Sequence, residues 1–352
     1  MPSLLHLFVT AAMIALGAVG GVLAHWGGFP LPYLLGALLI TALPAIFANH
    51  RFPADYGFPM RFRMPFIGLI GMVIGTQVTT DLFASLPTLA ISMAAMVAFV
   101  VLAQLANYQI FRRIGGYDPA TAFFAGAPGG LIESISMGET SGADIQLLVT
   151  QQFLRIILVM TLIPFGLSLW LGYPVGSAAG LSVARAPAAV SDWGILALGL
   201  AIGVIGGVKL GLPAGQLTGP LLVSALMSLA GYPVAVPGWL VSVAQIVVGT
   251  SLGLRFAGLN HKTLIRGFGL SLLSVSIMLL IGAILSAVIY PFVNQPADVL
   301  LITFAPGGVN EMALVALSLH ANPAFVTLHH VFRIIITVLG LGLVSRRIMR
   351  AT

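Results

Sequence analysis

The sequence predicts an all-α polytopic membrane protein made of two homologous, inverted repeats with interrupted (broken or re-entrant) helices. Three observations carry this expectation. Hydrophobic residues make up 59% of the 352 positions and charged residues only 7%, with a mean hydropathy of +1.08. Soluble domains carry about 25% charged residues, so a surface this poor in charge could not stay in water. Apolar stretches long enough to cross a bilayer core recur from end to end. The segment Ala127-Pro128-Gly129-Gly130 occurs again as Ala305-Pro306-Gly307-Gly308.

About twelve apolar segments follow in order. The first, 5–25, has no Lys or Arg before it, so it reads as a membrane segment and not as a cleaved signal peptide. Gly27-Gly28-Phe29-Pro30 separates it from 31–48. Segments 64–80 and 88–111 come next, then 118–137, which contains the first Ala-Pro-Gly-Gly, and 145–172 completes a first repeat spanning 1–180. The second repeat, 181–352, runs through 190–209, 214–231 (closed by Tyr232-Pro233), 238–255, 266–290, 297–318, which contains the second Ala-Pro-Gly-Gly, and 322–345. In lipid every backbone polar group must be satisfied internally, which makes these runs helices. They lack the period-two alternation of a β-barrel. The 41 glycines fit close packing of helices through small residues.

The repeat rests on four matches in chain order. At an offset of 178 residues, Ala127-Pro128-Gly129-Gly130-Leu131-Ile132-Glu133 aligns with Ala305-Pro306-Gly307-Gly308-Val309-Asn310-Glu311. At the same offset Gln151-Gln152-Phe153-Leu154-Arg155 aligns with His329-His330-Val331-Phe332-Arg333. Ile74-Gly75-Thr76 pairs with Val248-Gly249-Thr250, and Gly28-Phe29-Pro30 with Gly211-Leu212-Pro213. Charge suggests the relative orientation. Arg155 and Arg333 lie inside apolar segments; the remaining basic residues fall in clusters after segments two, four, seven, nine and twelve, with Arg185 alone after segment six. If segments five and eleven enter and return without crossing, all these loop charges except Arg185 face one side, as basic loops do at the cytoplasmic face. Each copy then crosses five times and the second is inverted, a recurring plan of secondary transporters. A broken helix that crosses, paired with another short segment that does not, meets the same count.

Several residues could carry chemistry. Pro128, Gly129 and Gly130, and Pro306, Gly307 and Gly308, should break their helices and free backbone carbonyls and amides for an ion. Glu133 and Glu311 stand three residues past the second Gly of each motif. Intramembrane carboxylates are costly and so are expected to bind a coupling H⁺ or Na⁺, or to cap the half-helix that follows. Arg155 and Arg333 need a partner or a wet cavity: Glu133 or Glu311, or a carboxylate or phosphate of a substrate. Gln151, Gln152 and Arg155 form one polar stripe; His329, His330, Arg333 and Thr337 form the equivalent one. Gln152 and His330 join the coupling-ion or substrate-binding set. Thr76 and Thr250 are expected to serve packing.

Other classes are disfavoured. With no Cys there is no disulfide or thiolate site. A metal site from His320, His329, His330 and Glu311 has no counterpart in the first copy, where Gly142, Gln151 and Gln152 stand at the three His positions. Neither catalytic nor metal-ligating residues are assigned, no cofactor is expected, and the chain is read as not an enzyme. The net charge of +6 sits in short loops and not in a nucleic-acid groove. The expected partners are the lipid bilayer and a small-molecule or ion substrate, with a homodimer as the candidate assembly.

Through Ala-Pro-Gly-Gly-x-x-Glu, repeated and followed by the buried Arg, the chain resembles the bacterial membrane AbrB duplication family over nearly its whole length. Members of that family carry the labels ammonia monooxygenase or AbrB family regulator. The resemblance implies a multi-pass protein of the bacterial inner membrane, similar in architecture to cation–proton antiporters and bile-acid-transporter-like folds. It supports a secondary transporter and supplies no substrate; the Glu and Arg residues point to a small, anionic solute coupled to H⁺ or Na⁺. A membrane-embedded regulator of gene expression acting through a partner is the alternative. A metal-dependent monooxygenase is the third and weakest, for want of a duplicated His cluster.

Overall fold

The computed structural model describes residues 4–53, 56–78, 86–173, 175, 190–259, 261–318 and 323–351. Arg185, His320 and the expected boundary between the repeats at residue 180 lie outside them. The described residues are helical, without a strand. In chain order the helices are α1 (Leu4–Trp26), α2 (Pro32–Phe47), α3 (Met60–Gly75), α4 (Leu86–Gln109), α5 (Pro119–Ala125), α6 (Leu131–Thr140) and α7 (Ile145–Leu171). There follow α8 (Val190–Lys209), α9 (Gly215–Leu229), α10 (Gly238–Gly253), α11 (His261–Ile289), α12 (Ala297–Phe304), α13 (Val309–Ser318) and α14 (Pro323–Ala351). Each apolar segment of the sequence is helical, and the two that contain Ala-Pro-Gly-Gly are each split into two short helices. Seven helices among the described residues are long and apolar enough to cross a membrane. This is a multi-pass membrane protein.

Contacts divide the chain into two compact units that each draw on both halves of the sequence. The first comprises Met1–Phe83, Pro164–Gly258 and Ala313–Ala324; the second comprises Ala84–Ile163, Leu259–Met312 and Phe325–Thr352.

Glycine sets the packing of the first unit. In lipid, apolar side chains gain little by meeting each other, so helices associate where small residues let backbones touch. On α1 and α2, Gly20 and Gly36 face each other so closely that a β-carbon on either would overlap the other's carbonyl. On α8 and α9, Gly207 and Gly215 do the same, while a β-carbon on Gly219 would overlap the Gly203 carbonyl and one on Gly203 the backbone of Pro220. Two further contacts join the halves of the chain within this unit. Gly71 and Gly75 of α3 lie on the carbonyls of Leu217 and Leu221 of α9, while Gly249 and Gly253 of α10 lie on those of Leu34 and Leu38 of α2. The loops entering α2 and α9 also share one backbone. Gly28 and Gly211 have φ of +67° and +64°, and the non-glycine residues Leu31 and Ala214, just after Pro30 and Pro213, have φ of +43° and +50°. A left-handed non-glycine residue costs roughly 1–2 kcal/mol, and Leu31 is held there by burial and by its N–H donating to Val175 O at 3.0 Å. Thr250 is buried against Gly17, and Thr76 Oγ1 donates to Val73 O at 2.7 Å.

The second unit holds both interruptions and, of α13, only residues 309–312. Its apolar core includes Phe111, Tyr117, Phe124, Leu148 and Leu341, and the rings of Phe99 and Phe304 lie 5.9 Å apart. Asp118 opens α5, with Pro119 in the first turn, and its side chain accepts the Thr121 N–H at 2.9 Å. Burial opposes its negative charge, but hydrogen bonds from Thr121 and the neighbouring backbone outweigh that and hold the carboxyl below its usual range.

Candidate functional site

The helix formed by α5 stops because Pro128 has no N–H to continue it. Gly130 then turns the chain with φ +64° and ψ 57°, and α6 begins at Leu131. The second interruption runs through Ala305-Pro306-Gly307-Gly308 between α12 and α13. Breaking a helix in an apolar interior strips carbonyls of their N–H partners, and each must find another donor.

At the first interruption these donors are side chains. Gln152 Nε2 of α7 donates to Phe124 O at 2.9 Å and reaches Ala125 O and Ala127 O at 3.3 and 3.4 Å. Arg155 Nη1, one turn further along α7, donates to Ala127 O. From α4, Gln104 Nε2 donates to Phe123 O at 2.8 Å and Asn107 Nδ2 to Gly126 O at 2.9 Å. Asn107 is itself held by Ser274 of α11, whose hydroxyl donates to its Oδ1 at 2.8 Å.

The second interruption repeats part of this scheme at the same offset of 178. His330 Nε2 donates to Ile302 O at 3.0 Å, as Gln152 does to Phe124 O. Arg333 Nη1 donates to Ala305 O, as Arg155 does to Ala127 O, and its Nη2 also reaches Gly307 O. The positions matching Gln104 and Asn107 are Gly282 and Leu285, which have no side-chain donor.

The two glutamates lie at the third position of α6 and α13, where a carboxylate favours the positive end of the helix. Both fold back on the start of their own helix. Glu133 Oε2 is 3.4 Å from where a β-carbon on Gly130 would stand, and Glu311 Oε2 would overlap one on Gly308. Glycine at both positions leaves room for the returning carboxylate. Gly130→Ala is expected to lower stability by about 1–2 kcal/mol, because the residue is left-handed and its β-carbon would also meet Val338 Cγ2 at 3.0 Å. Thermal unfolding in detergent measures this, and an unchanged midpoint would show that the turn does not need glycine.

Arg333 bonds the second interruption and lies beside the first. Its terminal nitrogens hold the second, and its Nε stands 3.7 Å from the β-carbon position of Gly129 in the first. Thr337 Oγ1, one turn on, stands 3.4 Å from that same position. The second unit therefore gathers Glu133, Arg155, Arg333, Gln152 and His330 at its two breaks, with Glu311 at the start of the half-helix after the second. Buried polar atoms there have no hydrogen-bond partner: Arg155 Nε, Arg333 Nε, Gln152 Oε1, His330 Nδ1 and Thr337 Oγ1. Of these, the two arginine N–H groups and the Thr337 hydroxyl can donate, and charged donors suit an anion.

The remaining members of the polar stripes point elsewhere. Gln151 donates to Tyr117 Oη at 2.8 Å and accepts from Ser271, tying α7 to α11. His329 Nδ1 donates to Phe325 O and its Nε2 bonds Ser92 Oγ, both at 2.8 Å. Among the described residues no group of three or more His, Cys, Asp or Glu converges as a metal site would. Gln104 and Asn107 were not singled out in the sequence. Two amides three apart in a long, mostly apolar helix were the available signal.

The fold and site define an all-helical, multi-pass membrane protein with two interrupted helices held open by buried arginines. The chain belongs to the AbrB family: the family described as "Transition state regulatory protein AbrB" matches residues 42–349. YhjN of Bacillus subtilis (strain 168) is 27% identical over 353 residues, covering 92% of this chain and 89% of that protein. An Escherichia coli (strain K12) protein named as a candidate regulator, AbrB, is 24% identical over 260 residues, covering 72% of this chain and 74% of its own.

Proposed function

We propose that this protein is a secondary transporter in the inner membrane of a bacterium, moving a small anionic solute coupled to H⁺ or Na⁺, and that it is not an enzyme. The observation that carries this reading is Arg333, whose guanidinium holds the carbonyls of one interrupted helix and presents an unused N–H at the other. Interrupted helices that meet at a buried charge are where transporters hold solute and coupling ion. Matching contacts at the 178-residue offset support the duplication, and inverted copies would suit alternating access. The glutamates supply the coupling. Glu133 and Glu311 stand at the starts of α6 and α13, and an intramembrane carboxylate is the group that takes up H⁺ or Na⁺.

The test is uptake of labelled acetate, succinate, phosphate and sulfate into proteoliposomes under an imposed H⁺ or Na⁺ gradient. One gradient is expected to drive uptake of at least one anion, and Glu133→Gln with Glu311→Gln to remove the dependence on it. No uptake of any of the four, or uptake indifferent to both gradients and to the double substitution, defeats the proposal.

A membrane-embedded regulator is the second reading, and the names of the family and of the Escherichia coli protein favour it. It requires that deletion change gene expression and that the Glu133→Gln, Glu311→Gln chain restore it.

A further inference from the structure

We infer that one carboxylate or other oxyanion group binds at the first interruption alone, on the start of α6, held by Arg333 Nε–H and the Thr337 hydroxyl. This assignment rests on the reading of the interruptions as the solute site, and it names the group recognised and the half that recognises it.

The start of α6 supplies backbone N–H groups without acceptors inside the helix, and ten residues of helix stand behind them. A helix start alone would not make a site. Here two side chains aim at it with nothing to bond: Arg333, 1% exposed, through Nε, and Thr337, 2% exposed, through Oγ1. They converge on the space beside Gly129, 3.7 and 3.4 Å from its β-carbon position. A threonine in a helix ordinarily returns its hydroxyl to the carbonyl one turn back, as Thr41 and Thr303 do here. Thr337 does not, and leaving a buried hydroxyl unsatisfied costs about 1–3 kcal/mol. An anionic oxygen lodged beside Gly129 would accept from both.

The other half cannot copy this site. The residue matching Thr337 is Val159, which has no donor. The second interruption has Met312 packed against Gly307, its side chain 2.7 Å from the β-carbon position. A β-carbon-sized atom fits beside Gly129 with ordinary contacts, whereas the matching place beside Gly307 is taken by a thioether. The two interruptions share their clamps but differ in the one place where an anion would sit.

The experiment measures stabilisation of the full-length protein in detergent by acetate, succinate, inorganic phosphate and sulfate, read as the shift in unfolding temperature with concentration. At least one probe is expected to stabilise. Thr337→Val, which keeps the shape and removes the hydroxyl, should weaken that probe about tenfold or more. Gly129→Ala should abolish the shift. Its β-carbon makes only ordinary contacts, so the protein still folds, but it occupies the place of the bound oxygen. Val159→Thr should leave binding unchanged. No stabilisation by any probe overturns the inference, and so does a probe that binds Thr337→Val and Gly129→Ala as tightly as the parent. Binding lost in these two variants without uptake in proteoliposomes would leave the site standing and remove the transporter. Uptake that survives both variants would remove the site and leave the transporter.

Discussion

Arg333→Lys is expected to reduce uptake roughly 100-fold or more, although it conserves charge. The guanidinium performs three tasks from one plane: Nη1 bonds Ala305 O, Nη2 bonds Gly307 O, and Nε faces Gly129. A lysine ammonium is a point donor on a flexible stem and cannot hold two carbonyls of one break while serving the other. Hydrogen bonds from charged groups contribute about 1.5–3 kcal/mol each, so losing one or two suffices for that factor in binding. Arg155→Lys should act less strongly, since Gln152 also reaches Ala127 O. Uptake per folded molecule, corrected for thermal stability, is the measurement. Near-normal uptake by folded Arg333→Lys protein would mean that bonding one break while lying beside the other is not what function requires.

The largest effect on stability is expected from a single methyl group on α8. Gly207→Ala places a β-carbon into the Gly215 carbonyl, backbone against backbone, with no flexible side chain to yield. Overpacking of this kind costs typically 1–3 kcal/mol and more where nothing can move; about 3 kcal/mol or greater is expected here. The adjacent Gly206 is the control. Its β-carbon position is open, so Gly206→Ala should be neutral or stabilise the helix by about 0.5–1 kcal/mol. Unfolding midpoints of the two variants in one detergent should differ in opposite directions from the parent. Equal behaviour would show that α8 and α9 are not locked by glycine contact.

The parts of this architecture that sequence revealed have local causes. Pro128 and Pro306 interrupt their helices through the missing N–H whatever surrounds them, and Glu133 and Glu311 read correctly as residues of the following half-helix. The buried arginines were also visible as charges that needed partners. Their bonded partners were not foreseen: sequence offered glutamates or a substrate, whereas the structure gives each guanidinium the carbonyls released by the proline break nearby. That result depends on α7 and α14 passing beside the breaks, which no local pattern encodes. Gln104 and Asn107 went unnoticed for the same reason. Gly71 and Gly249 looked like ordinary small residues, because the carbonyls they rest on come from Leu217 and Leu34, far along the chain. The strained Leu31 and Ala214 follow prolines that signalled a turn without signalling its handedness.

Those glycine contacts bear on how the protein is made. Two of the glycine joints of the first unit pair α3 with α9 and α2 with α10, so each joins an early helix to one synthesised well over a hundred residues later. Early helices leave the ribosome and enter the bilayer with bare backbone grooves and no partner to fill them. The first unit can close only when the later half of the chain arrives. Long-range closure of this sort is slow and exposes intermediates to wrong pairing. A chain released after the first six apolar segments would lack half of every such joint. Its grooves would be left to lipid, or to the grooves of another unfinished copy.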